Sequence, residues 1–162
     1  MRSPRWPSRL LLASNASDAA GSNLFDLALT MVAITVLGLS ATELGILNAL
    51  GMISFLLLAV PLGMLVDRVG ARNVLLVSLI SKVVIVAATL ALYAAGLLTT
   101  IGMMVIATVM GVVVVATENA QTTTAPSVAL DRDDTLQVVA RMASADRIAG
   151  IVSPAIAGFL MA

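Results

Sequence analysis

Cysteine and histidine are both absent from the 162 residues of this chain, and charged residues make up only 11% of it. The absence of these two residue types excludes disulfide bonds, thiolate chemistry and imidazole metal sites, and leaves carboxylates as the proton carriers near neutral pH. The low charge accompanies 60% hydrophobic residues, a balance far from that of a water-soluble domain. The composition therefore predicts an integral membrane protein.

Long uncharged runs mark the predicted membrane spans, and two of them, 44–66 and 83–117, contain no charged residue. Because lipid offers no hydrogen-bond partners to the backbone, such runs must form helices of about 20 residues each. We predict an all-α, polytopic transmembrane helix bundle of about five spans, over residues 10–39, 44–66, 73–93, 100–124 and from about 146 onward.

These spans divide the chain into four parts. The predicted parts are a cytoplasmic N-terminal segment at 1–9, four transmembrane helices within 10–127, a cytoplasmic loop at 128–145 and a fifth helix at 146–162. In the loop, Asp134 and Gln137 have the spacing of a capping box and predict a short helix. From Ile148 to the last residue a helix reaches only about 22 Å, short of a hydrocarbon core near 30 Å. We therefore expect a truncated or barely spanning fifth helix.

The basic residues predict the orientation of the chain. With a cytoplasmic N-terminus, the arginines near the spans all lie inside, at positions 2, 5, 9, 68, 72, 132, 141 and 147. The two outside loops contain no Lys or Arg, which is the pattern expected of a multi-pass protein of the plasma membrane. A cleaved signal peptide is disfavoured, because the apolar core at 10–13 is only about four residues long.

A spaced motif lies between the second and third predicted spans, within residues 63–73. Its members are Gly63, Asp67, Arg68, Gly70 and Arg72. The motif resembles the loop signature of the major facilitator superfamily of secondary transporters, in content and in its position after the second helix. Ala71 replaces one expected basic residue. The alternative is an ordinary cytoplasmic turn flanked by arginines.

Three of the signature positions also have a physical rationale. Gly63 permits close approach of another helix, Asp67 can face the positive end of a helix dipole, and Gly70 allows a tight turn.

Two further segments extend the resemblance. The first helix and the position of Lys82 in the third look like the drug- and siderophore-exporting branch of the superfamily. The segment with Gly150, Pro154 and Gly158 resembles the fifth-helix signature of antiporters, although Ser153 and Ala157 replace glycines there. Tight helix packing by small residues is an equally good interpretation of that segment.

The resemblance implies an incomplete N-terminal half of such a transporter, lacking its sixth helix. The implied function is transport of a small, amphiphilic molecule across the lipid bilayer, driven by protons and directed outward, by rocking two six-helix halves about a midplane site. The chain then belongs to a longer gene product or is completed by a second chain. The alternative is a truncated, non-transporting membrane fragment with a structural or vestigial role.

Polar residues recur every three or four positions along the first span, at Asn15, Asp18, Ser22, Asp26 and Thr30. This spacing places them on one helical stripe, which we expect to face a water-filled cavity. Loss of water favours the neutral form of a carboxyl group, so Asp26, near the predicted midpoint, is our first candidate for proton coupling.

Two other carboxylates, Asp18 and Glu118, are further candidates for binding a proton, a cation or a cationic substrate. Glu118 lies in span four, with Asn119 and Thr122 nearby, and the resembled family lines its substrate path with the first and fourth helices. A competing interpretation is that one of the carboxylates of the first span, Asp18 ahead of Asp26, forms a neutralising ion pair with Lys82.

Other classes of function find no support in the sequence. We recognise no metal-ligand set, nucleophile motif or cofactor loop, so neither an enzyme nor a cofactor is expected. The basic residues do not exceed what membrane orientation requires, so no nucleic-acid partner is expected either.

Overall fold

The computed structural model describes residues 6–128, 136–137, 139–144 and 147–152. Its four long helices are α1 (Trp6–Thr35), α2 (Ala41–Val69), α3 (Ala71–Ala94) and α4 (Thr100–Val128). The shorter described stretches after α4 are also helical, and no strand occurs within the described ranges. The all-α prediction is confirmed. The predicted cap at Asp134 and the end of the predicted fifth helix lie outside the described residues.

Three helices are long and apolar enough to cross a membrane: Ala41–Val69, Ala71–Ala94 and Thr100–Thr124, with mean hydropathy between 2.3 and 2.5. Large apolar side chains on these helices point outward, and Met52, Leu56 and Ile101 are each at least 75% exposed. A water-soluble protein would bury such side chains, whereas in a membrane protein lipid covers them. The chain is thus an all-α transmembrane bundle. α1, which contains Asp18 and Asp26, is not among these three helices.

Local hydrogen bonds set the boundary between α1 and α2. α1 ends at Thr35, four residues before the end predicted from hydropathy, and Gly38 follows with a φ of +62°. Ser40 then caps α2. Its hydroxyl accepts from the backbone N–H of Glu43 at 3.4 Å, and the Glu43 carboxylate accepts from the Ser40 N–H at 2.8 Å. This capping box fixes the start of α2 at Ala41.

Gly70 alone separates α2 from α3. Its φ of +94° and ψ of 133° are backbone angles open to glycine and costly for other residues. Its N–H donates to the Val66 carbonyl at 2.9 Å, and its carbonyl accepts from the Asn73 N–H at 3.1 Å, so one residue ends one helix and begins the next. A buried cluster joins the helices next to this junction and comprises Val66, Val74, Ala116 and Ala120.

The contacts of the chain divide it into two compact units. One unit comprises Met1–Leu27 with Gln121–Ala162, and the other comprises Ala28–Ala120. The first therefore joins the beginning of α1 to the end of α4 and to the short helical stretches after it. The second contains α2, α3 and most of α4.

Within the second unit, α2 and α4 approach each other closely. A Cβ atom added to Gly111 would lie 3.1 Å from the Gly51 carbonyl oxygen and 3.2 Å from the Ser54 Cβ, so a side chain has little room there. The Ser54 hydroxyl donates to the Thr108 carbonyl at 3.3 Å. Nearer the other end of the two helices, the Asn119 side-chain amide donates to the Ala59 carbonyl at 3.0 Å. Small residues and polar contacts together hold this helix pair, as is common in membranes.

Candidate functional site

The predicted polar stripe lies on one continuous helix, α1. Asn15 is buried, Asp18 and Ser22 are partly buried, and Asp26 is exposed. The four stripe members after Asn15 each take part in a polar or electrostatic interaction. Since the residues from Asn15 to Thr30 cover an arc of roughly 120° on a regular helix, the predicted alignment holds on α1. Their role in proton coupling stays a prediction.

Asp18 and Asp26 lie on either side of the middle of α1, whereas the predicted span placed Asp26 at the middle. Asp18 lies about 18 Å from the start of α1 at Trp6, and Asp26 lies about 14 Å before its end at Thr35. The predicted span ended at Leu39, which placed Asp26 at its midpoint. Because the helix begins and ends earlier, its middle falls between the two aspartates.

The beginning of the same face of α1 makes buried contacts within the first unit. Leu11 forms a small core with Met142, and one turn later the Asn15 side-chain amide donates to the Gln121 side-chain oxygen at 2.8 Å. Gln121 was not among the residues predicted from the sequence. An amide side chain one turn after Glu118, in an otherwise apolar helix, was the available signal.

Of the three predicted packing positions near the end of the chain, the structure describes Gly150. A Cβ atom there would lie 3.7 Å from the Asn23 side-chain oxygen, an ordinary packing distance. Gly150 therefore lies beside α1 within the first unit. Pro154 and Gly158 lie outside the described residues, so the role of the whole segment stays a prediction.

Glu118 on α4 is exposed and takes part in an interaction. Its neighbour Thr117 is fully buried, and the Thr117 hydroxyl donates to the Val113 carbonyl of its own helix at 2.8 Å. Asn119, predicted to accompany Glu118, instead donates to the backbone of α2. The described structure therefore gives Asn119 a packing contact.

Lys82 is buried within α3, with 7% of its side chain exposed. The buried residues of that helix also include Ser78 and Thr89, whereas Val77, Ile80 and Val83 point outward. A membrane helix with a polar inner face and an apolar outer face directs its polar groups away from lipid. Lys82 takes part in an interaction, as a buried cation requires. The predicted ion pair with Asp18 stays a prediction.

The signature residues surround the Gly70 junction. Asp67 and Arg68 occupy the last turn of α2, Arg72 lies in the first turn of α3, and all three are exposed. A Cβ atom on Gly63 would meet nothing within 4 Å in the described part of the chain. No described residue makes the close helix approach expected at Gly63.

The sequence profile of the Major Facilitator Superfamily matches residues 11–162, which is nearly the whole chain. The chain belongs to the Major Facilitator Superfamily. Membership confirms the resemblance of the signature loop at the level of the superfamily and implies transport of small molecules by a secondary transporter. Searches of curated proteins and of solved structures give no significant match.

In this superfamily, polar residues on membrane helices are expected to face the substrate path. Transporters of this superfamily bind their substrates near the bilayer midplane, between helices that line a water-filled path. Intramembrane carboxylates and lysines are tolerated when they face such a path or a partner. Lys82, which is buried within α3 and takes part in an interaction, follows this rule, and the roles of the carboxylates on α1 and α4 stay predictions.

Proposed function

We propose that this chain of the Major Facilitator Superfamily forms part of a proton-coupled exporter of small amphiphilic molecules, similar to the drug- and siderophore-exporting branch. The observation that supports this most strongly is the stripe of α1, where Asp18 and Asp26 lie eight residues apart on one helix face. Two carboxyl groups at this spacing, about 12 Å apart along the axis, give a helix two sites for a proton or a cation.

The chemistry of coupling follows from the energetics of charge in lipid. A carboxylate inside the membrane is tolerated when it is matched, and a proton or a cationic substrate group can each serve as the match. Exchange of one for the other couples export to proton entry. We assign this exchange first to Asp26, with Asp18 and Glu118 as further carriers, and we assign Lys82 the role of an ion-pair partner on α3.

We propose a cytoplasmic N-terminus and location in the plasma membrane. The connections at 36–40 and 95–99 contain no Lys or Arg, whereas Arg68 and Arg72 flank the Gly70 junction. Positive residues concentrate on the cytoplasmic side of membrane proteins, so the junction lies inside and the two connections lie outside.

Transport by this superfamily requires two six-helix halves that rock about a central site. The described helices supply part of one half, so we propose that further helices complete the path. These come from the same gene product or from a second chain. The exposed Asp67, Arg68 and Arg72 are the residues through which we expect the signature loop to contact the other half.

The proposal is tested by introducing Asp26→Asn into the native gene, which retains whatever segment or second chain completes the path. Inverted membrane vesicles from the native host are energised by a proton gradient, and uptake of a fluorescent amphiphilic cation is measured. We expect gradient-dependent uptake with the native protein and its loss in the variant.

Glu43→Gln is the matched control, because glutamine keeps the capping box while one carboxyl is removed. This variant should transport normally. Gradient-dependent uptake that persists in Asp26→Asn would move the role to Asp18 or Glu118, which Asp18→Asn and Glu118→Gln then distinguish. Absence of gradient-dependent uptake by the native protein would contradict proton-coupled export and leave the superfamily assignment intact.

A further inference from the structure

A pair of buried amide side chains joins α1 to α4 within the first unit. Asn15 is 4% exposed and Gln121 is 2% exposed, and the Asn15 Nδ2 donates to the Gln121 Oε1 at 2.8 Å. Two primary amides can exchange two hydrogen bonds, but this pair makes one.

The second half of each amide lacks a partner. The Asn15 Oδ1 and the Gln121 Nε2 are enclosed and make no hydrogen bond to any described residue. An enclosed polar atom without a partner is costly, and a half-satisfied pair is worse than an apolar pair of the same size. The arrangement therefore calls for a third polar group.

We propose that Asn15 and Gln121 form a binding site for one neutral group that both donates and accepts a hydrogen bond. The Asn15 Oδ1 needs a donor, and the Gln121 Nε2 needs an acceptor. A water molecule, a hydroxyl group and an amide meet both needs. A carboxylate can only accept and an ammonium group can only donate, so the site discriminates against ions.

Two sources supply such a group: an internal water molecule, or the hydroxyl or amide of a bound solute. Buried waters commonly satisfy otherwise unpaired polar groups. A solute reaches the pair when α1 and α4 separate locally, since both atoms are enclosed in this conformation. The site is independent of the proposed proton coupling, because neither amide titrates.

The experiment uses the full chain in lipid nanodiscs and measures its thermal unfolding midpoint with added benzamide, benzoate or benzylamine at neutral pH. Benzamide offers both a hydrogen-bond donor and an acceptor. At neutral pH benzoate only accepts hydrogen bonds and protonated benzylamine only donates them. If a solute group uses the site, benzamide raises the midpoint by a few degrees and the two ions do not.

Three variants connect any shift to the pair. Asn15→Leu combined with Gln121→Met removes both amides at similar volume and should abolish the benzamide shift. Gln121→Glu keeps the size, replaces the donor and should abolish the shift as well, which covers the case in which the double variant fails to fold. Asn48→Leu, on an exposed amide that bonds its own helix, should keep the shift.

If water alone uses the site, benzamide causes no shift, and magnetisation transfer from water to the Gln121 side-chain amide is seen by NMR and disappears in Gln121→Glu. The proposal is overturned by a benzamide shift that survives in Gln121→Glu or is matched by benzoate. It is also overturned if neither a benzamide shift nor a water contact is found. None of these readouts involves transport.

Discussion

The helices α1 and α2 differ in where their polar side chains lie. α1 carries two carboxylates well inside the helix and a buried asparagine that bonds another side chain, whereas the two carboxylates of α2, Glu43 and Asp67, lie in its first and last turns. α2 buries only Leu47, Ser54 and Val66, and most of its large apolar side chains point outward. In a membrane, ionisable residues inside a helix commonly lie on the path of a substrate or an ion, whereas small residues and contacts between helices hold the bundle together. We therefore expect substitutions on the α1 stripe to change transport, and substitutions at the contacts of α2 to change stability.

The largest loss of stability is expected from Gly70→Ala. Because Gly70 has a φ of +94°, a Cβ atom strains the backbone between α2 and α3, and we expect a loss of about 1–3 kcal/mol in the free energy of unfolding. Unfolding in mixed detergent micelles, followed by the helical circular dichroism signal, measures this loss.

Gly63→Ala is the control for Gly70, since it also changes a signature glycine but would meet nothing within 4 Å in the described structure. Alanine favours helices over glycine, so the control should be neutral or slightly stabilising. Equal losses in the free energy of unfolding at the two positions would show that the positive φ of Gly70 is not the cause of its effect.

A smaller loss, about 1 kcal/mol, is expected from Gly111→Ala. The added methyl group would lie 3.1 Å from the backbone oxygen of Gly51, so α2 and α4 must shift apart. Gly45→Ala, on an open face of α2, should be neutral or stabilising. If Gly111→Ala is as stable as Gly45→Ala, the close contact between α2 and α4 is absent in the membrane.

The smallest effect is expected from Asn119→Leu, which removes the side-chain hydrogen bond to the Ala59 carbonyl. Interhelical hydrogen bonds in membranes contribute about 0.6 kcal/mol on average, so the loss should be near that value. Asn48→Leu is the control, because the Asn48 amide bonds Leu44 of its own helix. A loss of transport in Asn119→Leu without a loss of stability would show that Asn119 acts in transport rather than in helix packing.

Hydropathy was sufficient to predict α2, α3 and α4, since their described bounds lie within a few residues of the predicted spans. It did not predict the end of α1, because Gly38 and the capping box of Ser40 act through backbone angles and local hydrogen bonds. The Ser40–Glu43 spacing was present in the sequence as a signal. Charge and hydropathy alone do not detect such caps.

The candidate site also contains one feature that residue spacing predicted and one that it did not. Periodicity aligned the polar residues of α1 because three- and four-residue spacing fixes the face of a helix. It did not predict the bond between Asn15 and Gln121, which lie 106 positions apart in the sequence. Pairing between distant helices depends on how the helices pack, and no local spacing encodes it.

Proton release is the direct readout of the proposed exchange, in which a carboxyl group of α1 gives up a proton and binds a cationic substrate. Protein purified from native membranes, with any chain that accompanies it, is mixed in weakly buffered detergent solution with tetraphenylphosphonium, and a pH-sensitive dye reports released protons. We expect release by the native protein and by Glu43→Gln, and none by Asp26→Asn. Undiminished release by Asp26→Asn would contradict the role of Asp26, and no release by the native protein would contradict the exchange itself.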